Sequence, residues 1–583
     1  MACAVLPFLQ AASSVGFVLA SGAAVGAVPA VVRDGPGSAA LRGLVFRLIV
    51  VGALFVVQQA LVPVLDYYAN RFGRLVDNAL RARLVAVSVA PTGIGHLEDP
   101  GIADRFRDAQ GIGEGQYTPG RAIAGLFRNF GTWLTVLSQT VVVALFSWWL
   151  ALVLTVFLVV VRHRLIGELV ANANTARQDT EELRRADYDR ELGLTPQAAK
   201  EIRVFGLAPW LLGRFRGHAA AGMAVVWRDR AARIARPWLW SVPWGVVTVL
   251  GLVLDAHAAI HGEISLGTMS VTAQAILVAS SVWISQDDVQ IAYGMTAVPV
   301  LLELERQLVA PRAAKPGDVP MVPLGDIRFE CVRFRYPGQS DDVYTDLDLT
   351  IPAGRSVAIV GMNGAGKTTL VKLLARLYEP AAGRITVGGV DLADVDPVVW
   401  RRQLAAVFQD FARFELSAAD NVGFGWPAER HDRAAVRAAA ERVGAASFVE
   451  ALPNGWDTVL SGEFTGGVDL SGGQWQRIAL ARAIFAVEHG AGILVLDEPT
   501  ANLDVRAERE LFERSLELTT GITTVLISHR FSTVRHADLI CVLSDGRIAE
   551  QGTHDELMAA GGRYAEMFDM QASRFVAQIQ GEG

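Results

Sequence analysis

The sequence predicts a multi-domain protein: an α-helical membrane domain of six spans, followed by an α/β domain built on a largely parallel sheet. Three observations carry this expectation. Hydrophobic residues make up 51% of the 583 positions, and the mean hydropathy of +0.32 is high for a soluble chain. Long uncharged runs are concentrated in the first half. From about Asp326 onward, apolar strand-like runs alternate with helical patterns, the signature of an α/β sheet.

The expected domains are a membrane domain over 1–310, a proline-bearing linker over 311–325 and the α/β domain over 326–583. Uncharged runs occur at Ala4–Val32, Leu48–Leu65, Asn129–Val161, Pro237–Leu254 and Ile264–Gln286. Each approaches or exceeds the roughly 20 helical residues that cross a hydrocarbon core. Ala4–Val32 lacks a basic leader and is long for a cleaved signal, so it reads as a span. Asn129–Val161 is long for one crossing. Its flanks are both arginine-rich, with Arg71, Arg74, Arg81 and Arg83 on one side and Arg162, Arg164, Arg184 and Arg185 on the other. The positive-inside tendency puts both flanks in the cytoplasm and makes the run a hairpin turning near Phe146-Ser147-Trp148-Trp149. Asp255–Glu263 carries no lysine or arginine, as an outside connection should. Six spans with both chain ends inside result, although Arg33, Arg42 and Arg47 fit poorly in the first outside loop. The two long cytoplasmic segments are helical in pattern and read as continuations of the spans. Trp238, Trp240 and Trp244 read as interfacial anchors. Gln58, Gln59, Gln139 and Gln274 suit helix-to-helix hydrogen bonds or a polar cavity, and no charge near mid-span reveals an ionic preference.

Composition narrows the function. A net charge of −7 gives no support for a nucleic-acid partner. Cys3, Cys331 and Cys541 are too scattered for a metal or disulfide framework. Lysine occurs only at Lys200, Lys315, Lys367 and Lys372; arginine supplies every other fixed cation.

The placement of Lys367 is therefore telling. Ser356–Val360 reads as a strand leading into GMNGAGKTTL, with a helix after it, which is G-x-x-x-x-G-K-[ST] in its required context. Gly361, Asn363, Gly364, Ala365 and Gly366 form a tight loop whose N–H groups surround phosphates. Lys367 adds a point charge, and Thr368 and Thr369 follow at the helix start, Thr368 placed to hold Mg²⁺. Further on, Ile493–Leu496 is a continuous apolar run ending in Asp497-Glu498. It suits a strand buried on both faces, whose carboxyl end is where α/β sheets bind ligands. Asp497 would reach Mg²⁺, and Glu498 would orient and deprotonate an attacking water. A second such strand, Thr524–Ser528, ends at His529, within reach of a γ-phosphate if the strands are neighbours. Finally, GVDLSGGQWQRIALARAIF sets two glycines at the start of an amphipathic helix, where backbone N–H donors suit an anion.

With these residues in view, the chain resembles the ATP-binding-cassette exporters, as a half-transporter with its membrane domain fused ahead of one nucleotide-binding domain. LSGGQ, Leu470, Ser471, Gly472, Gly473 and Gln474, is similar to the family signature. Gln409 in AAVFQD resembles the Q-loop, a catalytic and Mg²⁺-contacting position; Asp504 in ANLD resembles the D-loop and His529 the switch histidine. Tyr336 in FRYPG resembles the aromatic that stacks on adenine. HLEDPGIADRFRDA and AAKEIRVFGLAPWLLGRF resemble, more loosely, the two cytoplasmic loops that touch the nucleotide domains. GEFTGGVDLSGGQWQ is closer to bacterial exporters of ribosomally made peptides. No peptidase domain is expected ahead of the spans and no cargo processing in this chain; the family's amphipathic elbow is not recognisable before the first span, as a shortened start or a different docking at the inner surface would give.

The resemblance implies a bacterial inner-membrane protein with its nucleotide domain in the cytoplasm, using ATP and Mg²⁺. It implies a second half-transporter as partner, because the signature of one copy faces the γ-phosphate held by the other; the partner is either a second copy or a different half-transporter. Membrane lipid surrounds the spans, and the transported substrate is a peptide, a lipid or a small hydrophobic molecule. ATP-driven export by alternating access is the leading expectation. Import of a chelated metal or similar ligand, and an ATP-gated regulator that moves nothing, are the alternatives.

Overall fold

The structure is a computed structural model that describes residues 2–109, 111–113, 115–176, 181–196, 198–234, 236–281, 285–309, 324–498, 521–528 and 531–571. Two units emerge: residues 1–88 with 104–308, and 89–103 with 309–583. Most of the 311–325 linker, Asp504 and His529 lie outside the described residues.

Among the described residues, the first unit is helical, without strands. Its elements, with the short helices of the adjoining segment, are α1 (Ala2–Asp34), α2 (Ala39–Val89), α3 (Gly95–Glu98), α4 (Pro100–Ala109), α5 (Pro119–Phe146), α6 (Trp148–Ala176) and α7 (Glu181–Leu194). There follow α8 (Ala199–Val204), α9 (Ala208–Ile234), α10 (Arg236–Ile260), α11 (Leu266–Ser280), α12 (Gln286–Gly294) and α13 (Ala297–Leu308). Among the described residues, five helices are long and apolar enough to cross a membrane: Cys3–Asp34, Ala39–Val89, Pro119–Phe146, Trp148–Ala171 and Val242–Ile260. The chain is thus a multi-pass membrane protein. The fifth uncharged run, expected as the sixth span, forms the shorter α11, about 22 Å long at 1.5 Å per residue against a core of about 30 Å. A fresh helix start replaces its expected continuation. Ser285 and Asp288 form a reciprocal capping box at the head of α12, which satisfies donors that a helix end exposes.

The hairpin expected between α5 and α6 is present. Ser147 leaves helical geometry with φ −146° and ψ 85° between Phe146 and Trp148, within the aromatic stretch that marks the turn. The cytoplasmic continuations are also present: α2 runs for 51 residues without interruption.

Packing in this unit follows the rules of an apolar solvent, where close approach and hydrogen bonds replace the hydrophobic drive. Gly22 of α1 and Gly267 of α11 meet so closely that a Cβ on Gly22 would lie 2.8 Å from the Gly267 carbonyl oxygen. Gln139, fully buried, donates to Ser14 Oγ across α5 and α1 at 3.1 Å. Gln274 bonds back to Ser270 on its own helix. Trp244 is buried rather than interfacial: its ring stacks on Phe157 at 5.6 Å, and its indole donates to the Ser280 carbonyl at 3.0 Å. The α10–α11 contact satisfies the polar end of the ring, so it needs no headgroup region. The Trp238 and Trp240 side chains lie outside the described residues.

Charge gathers at the edges of the uncharged runs rather than within them. Arg162 of α6 pairs with Asp288 at 2.5 Å, both side chains largely buried. Asn129 of α5 donates to the same carboxylate at 2.8 Å, and Arg128 pairs with Asp287 at 2.5 Å. The Arg162 guanidinium also lies 4.6 Å from the centre of the Trp133 ring. These bonds tie α5, α6 and α12 together. Sequence runs hid them because each partner stands at the edge of an apolar stretch.

The second unit is α/β. Its strands are β1 (Ile327–Phe334), β2 (Tyr344–Ile351), β3 (Ser356–Val360), β4 (Ala382–Val387), β5 (Val390–Asp391), β6 (Leu404–Val407), β7 (Ile493–Asp497), β8 (Thr523–Ile527), β9 (Leu539–Ser544) and β10 (Arg547–Gly552). A six-stranded sheet has the order β10-β9-β3-β8-β7-β6. All of its pairs are parallel except the edge pair β9–β10. β7 and β8 are buried along their whole length, which is why both read as unbroken apolar runs rather than alternating ones. An antiparallel sheet, β2-β1-β4-β5, packs beside it through a core that includes Phe329, Tyr344, Val357, Ile359 and Leu370.

Candidate functional site

The carboxyl ends of β3 and β7 build the site. After β3 the chain turns through Gly361–Gly366 into α14 (Lys367–Leu374). A Cβ on Gly361 would stand 2.4 Å from the Leu543 carbonyl oxygen, so only glycine lets the loop leave the sheet here. Gly366 caps α14 with φ +101°, a conformation costly to other residues. The helix start therefore points its free N–H groups toward the space above the loop, the usual seat of a phosphate.

One cavity of about 520 Å³ is lined by Tyr336, Asn363, Gly364, Gly366, Lys367, Thr368, Thr369, Gln409 and Glu498. Residues from four separate sequence motifs thus converge. Gly361 and Ala365 belong to the same loop but not to the lining. Two lining residues, Gln339 and Val343, escape sequence reasoning because they lie in the turn after Tyr336, where no motif marks them. Leu470–Gln474 does not line this cavity. That segment starts another helix, Gly472–Glu488, through a capping box in which Ser471 Oγ accepts from Gln474 N and Gln474 Oε1 accepts from Ser471 N. The two glycines therefore sit in the first turn of a helix whose buried residues include Ile478, Ala481 and Phe485.

Lys367 is 7% exposed, and its ammonium donates to the carbonyls of Gly361 at 2.9 Å and Met362 at 3.0 Å. Burial pulls its pKa below the usual lysine range, while Glu498 and Asp497 push the other way. Asp497 ends β7 fully buried. Burial raises its carboxyl to about 6, against the opposing influence of Thr368 and Lys367. The Thr368 hydroxyl acts without meeting hydrogen-bond geometry, because neither Asp497 oxygen has a hydrogen-bond partner. A buried carboxylate with both oxygens unpartnered, next to a threonine hydroxyl, suits a hard divalent cation that takes oxygen ligands. The residues present therefore fit Mg²⁺.

Glu498 has φ +46°, a left-handed conformation rare outside glycine and costing about 1–3 kcal/mol. Its main-chain N–H donates to the Ile527 carbonyl at 2.9 Å, so the edge of β8 holds it there. The result turns its side chain into the cavity, where Gln409 Nε2 donates to Glu498 Oε2 at 3.2 Å.

Tyr336 is held from three sides. Its hydroxyl shares a hydrogen bond with Thr369 Oγ1 at 3.0 Å. Its ring meets Tyr378 edge-on at 5.3 Å, and Lys372 Nζ lies 5.1 Å from its centre. Segment 89–103 clusters with this second unit and reaches the same spot. Ile94 N donates to Leu377 O at 3.1 Å, Tyr378 donates its hydroxyl to Glu98, and Lys372 pairs with Glu98 at 3.4 Å. Burial and the bond to Glu98 raise the Tyr378 pKa. The scarcity of lysine was the one signal that could have drawn attention to Lys372.

The chain is similar to known proteins over much of its length. The family model for the ABC transporter matches residues 344–501. The ATP-dependent lipid A-core flippase of Chromobacterium violaceum is 33% identical over 448 residues, covering 76% of this chain and 74% of the flippase. The protein of the same name from Aromatoleum aromaticum is 34% identical over 442 residues, 75% of this chain and 70% of that protein. Shorter matches have higher identity: the flippase of Chromohalobacter salexigens is 42% identical over 278 residues, so the chain spans 46% of that relative's length. A solved structure, a bacterial Atm1-family ABC exporter with ATP bound, superposes with a TM-score of 0.76 at 23% identity, covering 98% of this chain and 99% of that one. At that identity the likeness speaks for the fold alone.

Proposed function

Because the chain belongs to the ABC transporter family, with a membrane domain fused ahead of one nucleotide-binding domain, we propose that it couples ATP hydrolysis to export of an amphiphilic lipid, acting as a dimer. The observation that carries this reading is the convergence of Tyr336, Lys367, Thr368, Gln409 and Glu498 in one cavity, in a chain that also supplies membrane-spanning helices. The lipid class is taken from the flippases to which three quarters of the chain is similar; it is preferred here to a peptide cargo.

Tyr336 would stack on adenine. The loop 361–366 and the start of α14 would surround the phosphates, with Lys367 leaving its two carbonyl partners to meet the terminal phosphate charge. Asp497, Thr368 and Gln409 would hold Mg²⁺, which offsets charge on the phosphate oxygens. Glu498, aimed into the cavity and steadied by Gln409, would orient the attacking water and accept its proton. His529 and Asp504, outside the described residues, keep the roles that their motifs imply.

Leu470–Gln474 is absent from the lining of this cavity, which supports a shared site: the helix start at Ser471–Gly473 would face the phosphate held by a second chain. In a dimer, nucleotide closes the two nucleotide units and hydrolysis separates them again, which would drive the spans between inward and outward states.

The test is reconstitution in proteoliposomes with a fluorescent lipid whose outer-leaflet fraction is read by a membrane-impermeant quencher. ATP should change that fraction with the wild type and not with Glu498→Gln. Normal ATPase with no leaflet change for any lipid tested would remove the lipid reading. ATPase that persists undiminished with Gly472→Trp would remove the shared site.

A further inference from the structure

In the membrane unit, two hairpin ends meet around a cavity of about 280 Å³. One end is the turn between α5 and α6; the other is the connection from α10 to α11. Both lie opposite the ends of α5, α6 and α10 that carry Arg121, Arg128, Arg162, Arg164 and Arg236, which places them on the outer side by charge.

The lining has a particular chemistry. Phe146 and Trp149 bring aromatic rings, Asp255 and Glu263 bring carboxylates, His257 brings an imidazole, and neither lysine nor arginine lines the cavity. Asp255 Oδ1 accepts from the Thr272 hydroxyl at 2.5 Å. Its Oδ2 is buried and has no hydrogen-bond partner. An anionic oxygen in this position is costly without a donor or a positive charge beside it, and an ionisable residue kept within a membrane helix points to function.

Three features together select the ligand. The unpaired carboxylate oxygen calls for a cation with N–H donors or a delocalised positive charge. The aromatic rings stabilise an alkylated ammonium through their π faces. The volume is at the small end for ligand pockets and suits a headgroup rather than a whole lipid. A bare divalent metal ion fits less well: among the described residues, the only three such ligand groups within metal-binding reach of one another are Cys331, Asp346 and Asp348, in the other unit.

We propose that this cavity is an organic-ammonium site, in which Asp255 pairs with the cation, Glu263 adds a second negative charge at the mouth, and Phe146 and Trp149 cover its alkyl face. The ammonium comes either from an amine-bearing lipid headgroup in the outer leaflet or from a soluble amine outside the cell. The site requires neither nucleotide nor flux, so it stands apart from the export reading.

The experiment uses the full-length chain in nanodiscs of phosphatidylglycerol, which carries no amine, with radiolabelled benzyltrimethylammonium as probe. The expected result is saturable binding near one equivalent per chain, weakened at least about tenfold by Asp255→Asn, as for loss of a buried charge partner. Glu263→Gln, at an exposed position, and Trp149→Leu should each weaken it several-fold, and they carry the test if Asp255→Asn does not fold. Displacement by phosphatidylethanolamine in the disc identifies a lipid source; displacement by added spermidine identifies a soluble one. Absence of saturable probe binding, or binding unchanged in both Glu263→Gln and Trp149→Leu, overturns the proposal.

Discussion

Lys372 holds its ammonium 5.1 Å from the centre of the Tyr336 ring. The same ammonium pairs with Glu98 at 3.4 Å, so a segment that leaves the end of a long membrane helix fixes the neighbour of the aromatic proposed to stack on adenine. A cation–π contact at a partly exposed site is worth about 0.5–1 kcal/mol. Lys372→Met should therefore raise the KM for ATP roughly two- to fivefold while leaving kcat near wild type. A steady-state titration separates the two constants; a fall in kcat at unchanged KM would mean that Lys372 acts on the chemistry instead.

Tyr336 itself should matter more. Stacking of a base on an aromatic ring is worth about 1–3 kcal/mol, so Tyr336→Ala should weaken nucleotide binding by about fivefold to over a hundredfold. Tyr336→Phe keeps the ring but loses the bond to Thr369, and should cost little. Equilibrium binding of a fluorescent ATP analogue would rank the three proteins, and equal losses in both variants would assign the effect to the hydroxyl.

The convergence of Lys367, Thr368, Gln409 and Glu498 was legible in the sequence because each lies in a motif whose spacing is dictated by strand, turn and helix geometry. The strands themselves were legible because burial on both faces leaves Ile493–Leu496 and Thr524–Ile527 without polar interruption. What the sequence withheld was pairing between distant segments. Nothing in HLEDPGIADRFRDA states that Glu98 meets Tyr378 and Lys372, and nothing in two arginines at the rims of apolar runs states that Asp287 and Asp288 will neutralise them. Trp244 was misjudged for the same reason: its indole partner, the Ser280 carbonyl, is 36 residues away. The break in the fifth run depended on a local capping box at Ser285, a signal readable in SQDD but outweighed by the length of the apolar stretch.

Glu498→Gln keeps a side chain of the same shape that Gln409 can still meet, but it cannot accept a proton. Loss of a general base should lower kcat about 10²–10⁴-fold, with nucleotide binding close to wild type. Phosphate release under saturating ATP measures the first, and retention of labelled ATP on a filter measures the second. Wild-type turnover in this variant would mean that another group takes the proton.

Asp497 makes a prediction of opposite sign for stability and activity. Its folded pKa of about 6 lies above the ordinary aspartate value of about 3.9. The folded chain therefore holds this proton more tightly than the unfolded chain. The associated stability is complete below the unfolded value and is lost as pH rises through about 6, amounting to at most about 3 kcal/mol. With divalent cations chelated, Asp497→Asn should melt at a higher temperature than wild type at pH 8 and near it at low pH, while abolishing Mg²⁺-dependent ATPase. Parallel melting curves at both pH values would contradict a buried, uncompensated carboxylate.

Arg162 and Asp288 test whether the membrane unit depends on its buried ion pair. Removing one partner leaves a charge stranded among apolar side chains, at a cost of about 3–5 kcal/mol in buried settings. Asp288→Ala should accordingly lower the melting temperature of the purified chain in nanodiscs, and Arg162→Met should do so less if Asp288 takes up a proton. The double variant Arg162→Met/Asp288→Leu removes both charges and refills the space, so it should recover most of the loss, because the desolvation cost of the pair offsets much of its attraction. Asn129, whose amide donates to Asp288 at 2.8 Å, would then lack its acceptor and set the limit of that recovery. If the double variant is instead less stable than either single one, the bonds from Asn129 and Ser285 to Asp288, rather than the charge pair, hold α5, α6 and α12 together.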